Sequence, residues 1–193
     1  MAAYKKKASK LKAFLVFVDE SGMMMAPLVR RSRAPLGLTP ILFQRTCSHK
    51  KVSAIAALCV SPKRDRVYLY SRLHPDANIN TSLVCDFLKN LSRQIPGPKV
   101  LIWDRFTAHR AIKVKAFMQK SDIHSFHFPP YAPELNPVEN VWGYLKTNPM
   151  ANLAMADLNS LAKATHGHGR SLQRKEQLLH SFVKHTPLFL RLK

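Results

Sequence analysis

The chain has 193 residues, 46% of them hydrophobic, which is enough for one globular domain with a substantial core, with two small domains as an alternative. Its 31 lysine and arginine residues against 11 acidic residues give a formal net charge of +20, which indicates a polyanionic partner. No run of 18 apolar residues and no small-residue cleavage site near the N-terminus is found, so the sequence predicts neither a membrane span nor an export signal and favours a cytoplasmic location.

The basic residues are spread along the whole chain. This distribution favours the phosphate backbone of a nucleic acid over an anionic membrane, which would select one basic amphipathic helix. A merely solubilising basic surface is the remaining alternative.

Motifs for other chemistries are missing from the sequence. Cys47, Cys59 and Cys85 are far apart and contain no CxxC pair, so neither a disulfide framework nor a zinc site is predicted. His166 and His168 stand two apart without further Cys or His at ligand spacing, which argues against a metal site there. The chain has no P-loop, GxGxxG or GxSxG pattern, which weakens kinase, nucleotide-binding and serine-hydrolase interpretations.

The N-terminal quarter combines basic segments with one apolar run. Residues 1–13 are predicted to form a basic, mobile arm, and residues 14–18 (FLVFV) a buried strand that ends at Asp19. The stretch that follows is irregular and basic, and is either a solvated loop or a phosphate-contacting flap. The residues predicted to contact DNA in these segments are Lys5, Lys6, Lys7, Arg30, Arg31 and Arg33.

The middle of the chain predicts a hairpin, a helix and a second buried strand. Residues 52–60 and 67–70 form the hairpin, and Asn80 or Thr81 caps the helix. Residues 100–103 (VLIW) form the next strand, which again ends on an aspartate, Asp104. A helical crossover favours parallel pairing of the two apolar strands, so their ends should lie about 5 Å apart. Two carboxylates this close repel each other unless a proton or metal ion intervenes.

The third acidic group lies after a proline-rich loop. Thr107 is predicted to cap a helix over 108–119, and residues 123–128 form a further strand. Asn136 is then predicted as the N-cap of a helix that begins at Pro137 and carries Glu139 in its first turn. Glu139 could merely close a capping box. Residues 151–193 read as a basic helical extension.

Three of the few acidic residues, Asp19, Asp104 and Glu139, are thus predicted to point toward the same site. Oxygen ligands grouped in this way suit Mg²⁺ or Mn²⁺, and a pair of such ions catalyses in-line displacement at phosphorus. The sequence therefore indicates a metal-dependent nuclease or strand-transfer enzyme. The alternative is that Asp19 and Asp104 each cap a turn and Glu139 caps its helix.

Three motifs carry a resemblance: VDESG around Asp19, WDRFTAH around Asp104, and PPYAPELNPVENVWGYLK around Glu139. Together they resemble the catalytic domain of mariner-like bacterial insertion-sequence transposases, members of the Asp-Asp-Glu (DDE) superfamily. The resemblance implies an α/β fold with a ribonuclease H-like mixed five-stranded sheet flanked by helices, over residues 14–150. It also implies that Asp19, Asp104 and Glu139 are catalytic and bind two Mg²⁺ or Mn²⁺ ions.

The function implied by the resemblance is cleavage of DNA at transposon ends and transfer of the 3′-hydroxyl into target DNA at TA sites. Implied with it are a homodimer, a nucleoid-associated location in a bacterium, and a separately encoded helix-turn-helix part. His109 and Lys146 are possible supports of the active site, with ordinary backbone satisfaction as the alternative for His109, and core packing is favoured for Trp142. The two rival functions are a non-catalytic DNA-binding protein and a nuclease that cleaves without strand transfer.

Overall fold

The computed structural model describes residues 2–26, 28–41, 50–188, 190 and 192. The helices are α1 (Ala2–Leu11), α2 (Thr81–Gln94), α3 (Ile112–Lys120), α4 (Pro137–Thr147), α5 (Leu158–Gln173) and α6 (Glu176–Lys184). The strands are β1 (Phe14–Met24), β2 (Lys51–Val60), β3 (Val67–Pro75), β4 (Lys99–Trp103) and β5 (Ile123–His127). Two short 3₁₀ turns cover Thr107–Arg110 and Pro133–Leu135.

The five strands form one mixed sheet in the order β3-β2-β1-β4-β5. β1, β2 and β3 pair antiparallel, as the predicted hairpin requires, whereas β1, β4 and β5 pair parallel through helical crossovers. The predicted α/β class, with a mixed five-stranded sheet flanked by helices, is confirmed.

Both faces of the sheet are covered. On one face, Val16 and Val18 of β1 join the apolar residues of α2 and α3 in one core cluster. On the other face, Leu15 and Phe17 join apolar residues of α1, α4, α5 and α6. The alternation follows from the two-residue repeat of a strand, and burial on both sides explains why the strand is a continuous apolar run.

Several element boundaries differ from the predicted ones. β1 continues past the apolar run to Met24, because β2 pairs with it along its whole length, so Asp19 lies within the strand and not at its end. β3 is likewise longer and reaches Pro75. The helix predicted over 108–119 is split into a 3₁₀ turn and α3, and Thr107 does not cap it. The prediction of Asn80 as a cap is confirmed, since its side chain accepts the Leu83 N–H.

The lysine-rich N-terminus is not a mobile arm. It forms α1, whose Tyr4 and Ala8 are buried in the core while lysines face outward. The spacing of four residues between Tyr4 and Ala8 places both on one helix face, and this apolar stripe is what the prediction overlooked.

Residues beyond 150 contribute to the same core. Leu161 and Leu172 of α5 and Leu179 and Val183 of α6 are buried with the sheet residues of that face. The domain division at residue 150 stays a prediction. Cys59 and Cys85 are buried free thiols, whereas Cys47 lies outside the described residues. None of the helices in the described ranges has both the length and the apolar character needed to cross a membrane.

Candidate active site

The first two aspartates are brought side by side by the pairing of β1 with β4. The parallel register runs from Phe14 opposite Lys99 to Phe17 opposite Ile102. Continued by two residues, the same register sets Asp104 opposite Asp19. The two aspartates therefore lie side by side where β4 ends and β1 goes on alone beside β2, as the sequence predicted.

The third carboxylate is fixed by the start of α4. The Asn136 side chain accepts the Val138 N–H at 3.2 Å, and its amide donates to the Val18 carbonyl at 3.4 Å, which ties the helix start to β1. Pro137 is the first helical residue, as predicted. The Asn136 N–H donates to the Pro133 carbonyl, so it is not the partner of Glu139 that a capping box requires. Glu139 is exposed.

All three predicted acidic residues line one cleft. Asp19, Asp104 and Glu139 border a cavity of about 420 Å³ together with Arg105, Phe106 and the proline loop from Phe128 to Pro133. The loop is held against the strands because the Phe128 N–H donates to the Trp103 carbonyl at 2.9 Å and the Phe128 ring stacks on Phe17. The structure thus collects carboxylates from β1, from the loop after β4 and from α4.

Asp19 is a buried carboxylate in an acidic neighbourhood. Burial, together with the charges of Glu139, Glu20 and Asp104, raises the pKa of Asp19 to about 7, although the hydrogen bond from Trp142 opposes this rise. That bond runs from the Trp142 indole Nε1–H to Asp19 Oδ2 at 2.9 Å. Trp142 is 3% exposed, so the predicted core packing is present and its polar edge also holds Asp19.

A buried histidine links Asp104 to a fourth carboxylate, that of Glu20. His109 Nε2 lies 2.9 Å from Glu20 Oε1, and His109 Nδ1 lies 2.9 Å from Asp104 Oδ1. The His109 ring is stacked on Trp103 with centroids 4.0 Å apart and planes 6° from parallel. Because ionised carboxylates only accept hydrogen bonds, both ring nitrogens donate in this arrangement. One ligand atom each of Glu20, Asp104 and His109 lie within 4.8 Å of one another, so this group could hold a metal ion once the His109 ring loses a proton.

The charges around Asp19 and Asp104 shift the pKa values of these two aspartates in opposite directions. Burial alone would lower the pKa of His109, but its hydrogen bonds to Asp104 and Glu20 raise it to about 9. The His109 hydrogen bond in turn lowers the pKa of Asp104, helped by the Phe106 N–H, which donates to Asp104 Oδ1 at 2.8 Å. Asp104 is therefore ionised at neutral pH, whereas Asp19, with a pKa of about 7, is only partly ionised there.

Glu20 is the residue that the sequence prediction missed. It follows Asp19 directly, and neighbouring residues of a strand point to opposite faces of the sheet. Asp19 therefore turns toward α4 and Trp142, while Glu20 turns toward His109. The available signal was the pair of motifs VDESG and WDRFTAH, whose second acid and final histidine meet across the β1–β4 ladder.

Other predicted site residues lie outside the carboxylate cleft. Lys146 lies two helical turns beyond Glu139, donates to Ser21 Oγ at 2.8 Å, and borders a separate cavity beside Gly22. Arg30 is tied to the end of α4, since its guanidinium donates to the Thr147 carbonyl at 2.7 Å.

The remaining basic residues predicted to contact DNA take up varied positions. Arg31, Arg33 and Lys6 are exposed, Lys7 is partly exposed, and Lys5 donates to the Leu188 carbonyl. Within the described ranges, the structure adds no third Cys, His, Asp or Glu ligand to His166 and His168.

The sheet changes from antiparallel to parallel pairing at its centre, and carboxylates come from β1, from the loop after β4 and from a flanking helix. This is the arrangement of ribonuclease H-like phosphodiester-cleaving domains. The sequence profile of the family described as "DDE superfamily endonuclease" matches residues 14–162. The chain belongs to this family.

The chain is similar to solved structures of a mariner transposase over nearly its full length. It matches the Mos1 transposase paired-end complex with left transposon end at a TM-score of 0.67 and 17% identity, covering 96% of this chain and 55% of that chain. It matches the Mos1 mariner paired-end complex with Mn at a TM-score of 0.66 and 16% identity, covering 95% and 54%. At these identities the likeness shows the ribonuclease H-like fold.

One curated relative is more similar in sequence. The uncharacterised protein y4pE/y4sA of Sinorhizobium fredii is 37% identical over 84 residues, which is 42% of this chain and 60% of that protein. The chain thus spans little more than half the length of the relatives it matches.

Proposed function

We propose that the chain is the catalytic part of a mariner-like bacterial insertion-sequence transposase. It cuts DNA strands at the ends of the element and joins the freed 3′-hydroxyl to target DNA at TA sites. The observation that carries this proposal is the meeting of Asp19, Asp104 and Glu139 on one cleft in a member of the DDE endonuclease family. The similarity to Mos1 complexes with transposon ends supports DNA as the substrate.

The donor set of the cleft fits a hard divalent cation. Carboxylate oxygens are the ligands that Mg²⁺ and Mn²⁺ prefer, and one Mos1 paired-end complex contains Mn. We propose that Asp19, Asp104 and Glu139 hold two such ions. When bound, the ions activate the attacking water or hydroxyl and stabilise the leaving oxygen at phosphorus.

The protein's own contribution is to hold these carboxylates in place before substrate arrives. Asp104 is oriented by His109 and by the Phe106 N–H, and Asp19 by the indole of Trp142. Glu139 is positioned by the capped start of α4. Preorganised ligands of this kind lower the reorganisation required in the transition state.

The rest of the assembly follows from the same proposal. The net charge of +20 suits the DNA backbone, with the exposed Arg31 and Arg33 as phosphate contacts. We propose a homodimer, because two element ends must be joined, and a separately encoded helix-turn-helix part that recognises them. The catalytic unit is placed at residues 14–150, with 151–193 as an extension, in a bacterial cytoplasm where the protein associates with the nucleoid.

The test is a strand-transfer assay. The protein is incubated with Mg²⁺ or Mn²⁺, a pre-cleaved duplex that carries the terminal sequence of the encoding element, and a plasmid containing TA dinucleotides. We expect joined products whose junctions lie at TA. Hydrolysis without joined products would favour a plain nuclease, and DNA binding without any cleavage would favour a non-catalytic binding protein.

A further inference from the structure

Two aromatic rings border the carboxylate cleft and are open to solvent. Tyr131 is fully exposed, at 103%, and Phe106 is 41% exposed. Both line the same cavity as Asp19, Asp104 and Glu139. An exposed aromatic ring on a surface is common, but two at the rim of one acidic cleft call for an explanation by function.

Tyr131 combines an exposed ring with a strained backbone conformation. Its φ of +56° lies in the left-handed region, which costs a residue with a side chain roughly 1–2 kcal/mol. Pro129, Pro130 and Pro133 fix φ on both sides of it and make the loop stiff. The exposed ring makes no core packing that would offset this cost.

Phe106 is held next to the reacting groups. Its backbone N–H donates to Asp104 Oδ1 at 2.8 Å, and its ring meets His109 edge to face, with centroids 5.4 Å apart and planes at 84°. Phe106 also borders a second cavity, of about 490 Å³, which contains Asp19, Asp104 and Lys51. The ring therefore stands between two openings that share the same aspartates.

The chemistry of these rings matches that of a nucleobase. A DNA strand whose phosphate lies among the carboxylates must place its neighbouring bases within a few ångströms of the rim. Aromatic side chains stack on any base without reading its sequence, which is how single-stranded nucleic acid is bound. Bases inside a duplex already have both faces stacked, so only an unpaired base is available to Phe106 and Tyr131.

We propose that Phe106 and Tyr131 form a stacking site for an unpaired nucleobase beside the phosphodiester that the carboxylates cleave. This rests on the proposed function and narrows its substrate to DNA that is frayed or single-stranded next to the scissile bond. Arg105, which lines the same cleft, is placed to contact a phosphate of that strand.

The experiment is a binding cycle that changes the ring and the base separately. Three fluorescent duplexes are compared: one fully paired, one with a short 3′ overhang, and one whose overhang has an abasic site next to the duplex. Affinities are measured by anisotropy with Ca²⁺ present to neutralise the carboxylates, for the wild type, Tyr131→Ala and Tyr131→Phe. Ile112→Ala, which removes another exposed apolar side chain that does not line the cleft, is the matched control.

We expect the wild type to bind the overhang duplex about tenfold more tightly than the other two, the range set by one stacked base. Tyr131→Ala should lose this preference, while Tyr131→Phe and Ile112→Ala should keep it. A 2-aminopurine in the overhang should be quenched by the wild type and not by Tyr131→Ala.

Three results would overturn the inference. If Tyr131→Ala still prefers the overhang duplex, or if the wild type binds the abasic duplex as tightly as the overhang duplex, the Tyr131 ring does not stack on the base. An unchanged preference together with weaker self-association of Tyr131→Ala in sedimentation assigns the ring to a second copy of the chain. If the wild type cuts DNA in any of these cases, the proposed function stands without this site; a wild type that neither binds nor cuts DNA overturns both.

Discussion

Asp19 is a carboxylate that the fold buries among other acids, although burial favours its neutral form. It is 9% exposed, with Glu139, Glu20 and Asp104 near enough to raise its pKa to about 7. Such a residue lowers the stability of the metal-free protein, in keeping with its proposed role in binding a cation. This is the usual conflict between stability and function at active sites.

Removing this charge should stabilise the metal-free protein. We expect Asp19→Asn to increase the free energy of unfolding by roughly 1–3 kcal/mol at pH 8 in EDTA, because the amide has no charge to desolvate and still accepts the Trp142 N–H. Urea denaturation followed by circular dichroism measures the difference.

The sign of its pH dependence follows from the pKa values. The pKa rises from 3.8 to about 7 on folding, so between these values the folded protein binds the extra proton and loses stability as pH increases. The advantage of Asp19→Asn should therefore be absent near pH 4 and complete above pH 7. An equal advantage at both pH values would show that it does not come from the charge.

Glu20 should act as a positioning residue for Asp104, because it holds the other side of the His109 ring. We expect Glu20→Ala to raise the Mg²⁺ concentration for half-maximal cleavage about tenfold, since Asp104 loses its fixed orientation, whereas Glu20→Gln keeps an acceptor oxygen for His109 and restores most of the function. Metal titrations of plasmid cleavage are compared well below the melting temperature of each variant. If Glu20→Ala lowers only the melting temperature and leaves the metal titration unchanged, its role is structural.

At the scale of elements, the capped start of α4 determines where Glu139 stands. Asn136 caps α4 and Asn80 caps α2, each through its side-chain oxygen. Asn136→Ala and Asn80→Ala should each cost about 1 kcal/mol of stability, as lost caps do. Only Asn136→Ala should also reduce cleavage, because Glu139 stands three residues after that cap.

Thermal unfolding and plasmid cleavage, measured on both variants, separate the two effects. If Asn136→Ala cleaves the plasmid as fast as Asn80→Ala does, the start of α4 does not position Glu139 for cleavage.

The elements that could be predicted from the sequence are those whose signals are local. Some signals can be recognised from a few consecutive residues: the apolar runs 14–18 and 100–103, the cap at Asn80 and the proline that begins α4. Because each aspartate follows the apolar run of one of two parallel strands, their side-by-side placement could be predicted as well. Glu139 could be added only because its cap fixed the start of its helix.

What could not be predicted depends on partners that are distant in the sequence. Residues 19–24, which begin with the polar stretch Asp19, Glu20 and Ser21, form strand because β2 pairs with them, and no local pattern indicates that pairing. The contact between Glu20 and His109 joins residues 89 positions apart. The packing of α1 could not be predicted because lysines outnumber the apolar residues of the stripe formed by Tyr4 and Ala8.

At the scale of the whole molecule, the net charge of +20 predicts DNA binding that weakens steeply with salt. We expect affinity for a short duplex to fall at least about a hundredfold between 50 and 200 mM salt, since each neutralised phosphate releases a counterion. If Arg31 and Arg33 contact phosphates, replacing both with alanine should reduce the slope of log affinity against log salt by about 2.

An unchanged slope in this double variant would instead identify residues 28–41 as a solvated loop. The matched control is the double variant Lys115→Ala and Lys120→Ala, which removes two exposed lysines of α3 that are not predicted to contact DNA.

Metal-dependent cutting of DNA at the proposed site requires the carboxylate of Glu139. Glu139 is exposed, so Glu139→Gln should fold with an unchanged melting temperature, and the wild type and this variant can be compared on a supercoiled plasmid with Mg²⁺ or Mn²⁺. We expect the wild type to nick the plasmid only when the divalent ion is present, and folded Glu139→Gln to be at least about a thousandfold slower. Cleavage by Glu139→Gln at the wild-type rate, or cleavage by the wild type in EDTA, would contradict the metal-dependent site formed by Asp19, Asp104 and Glu139.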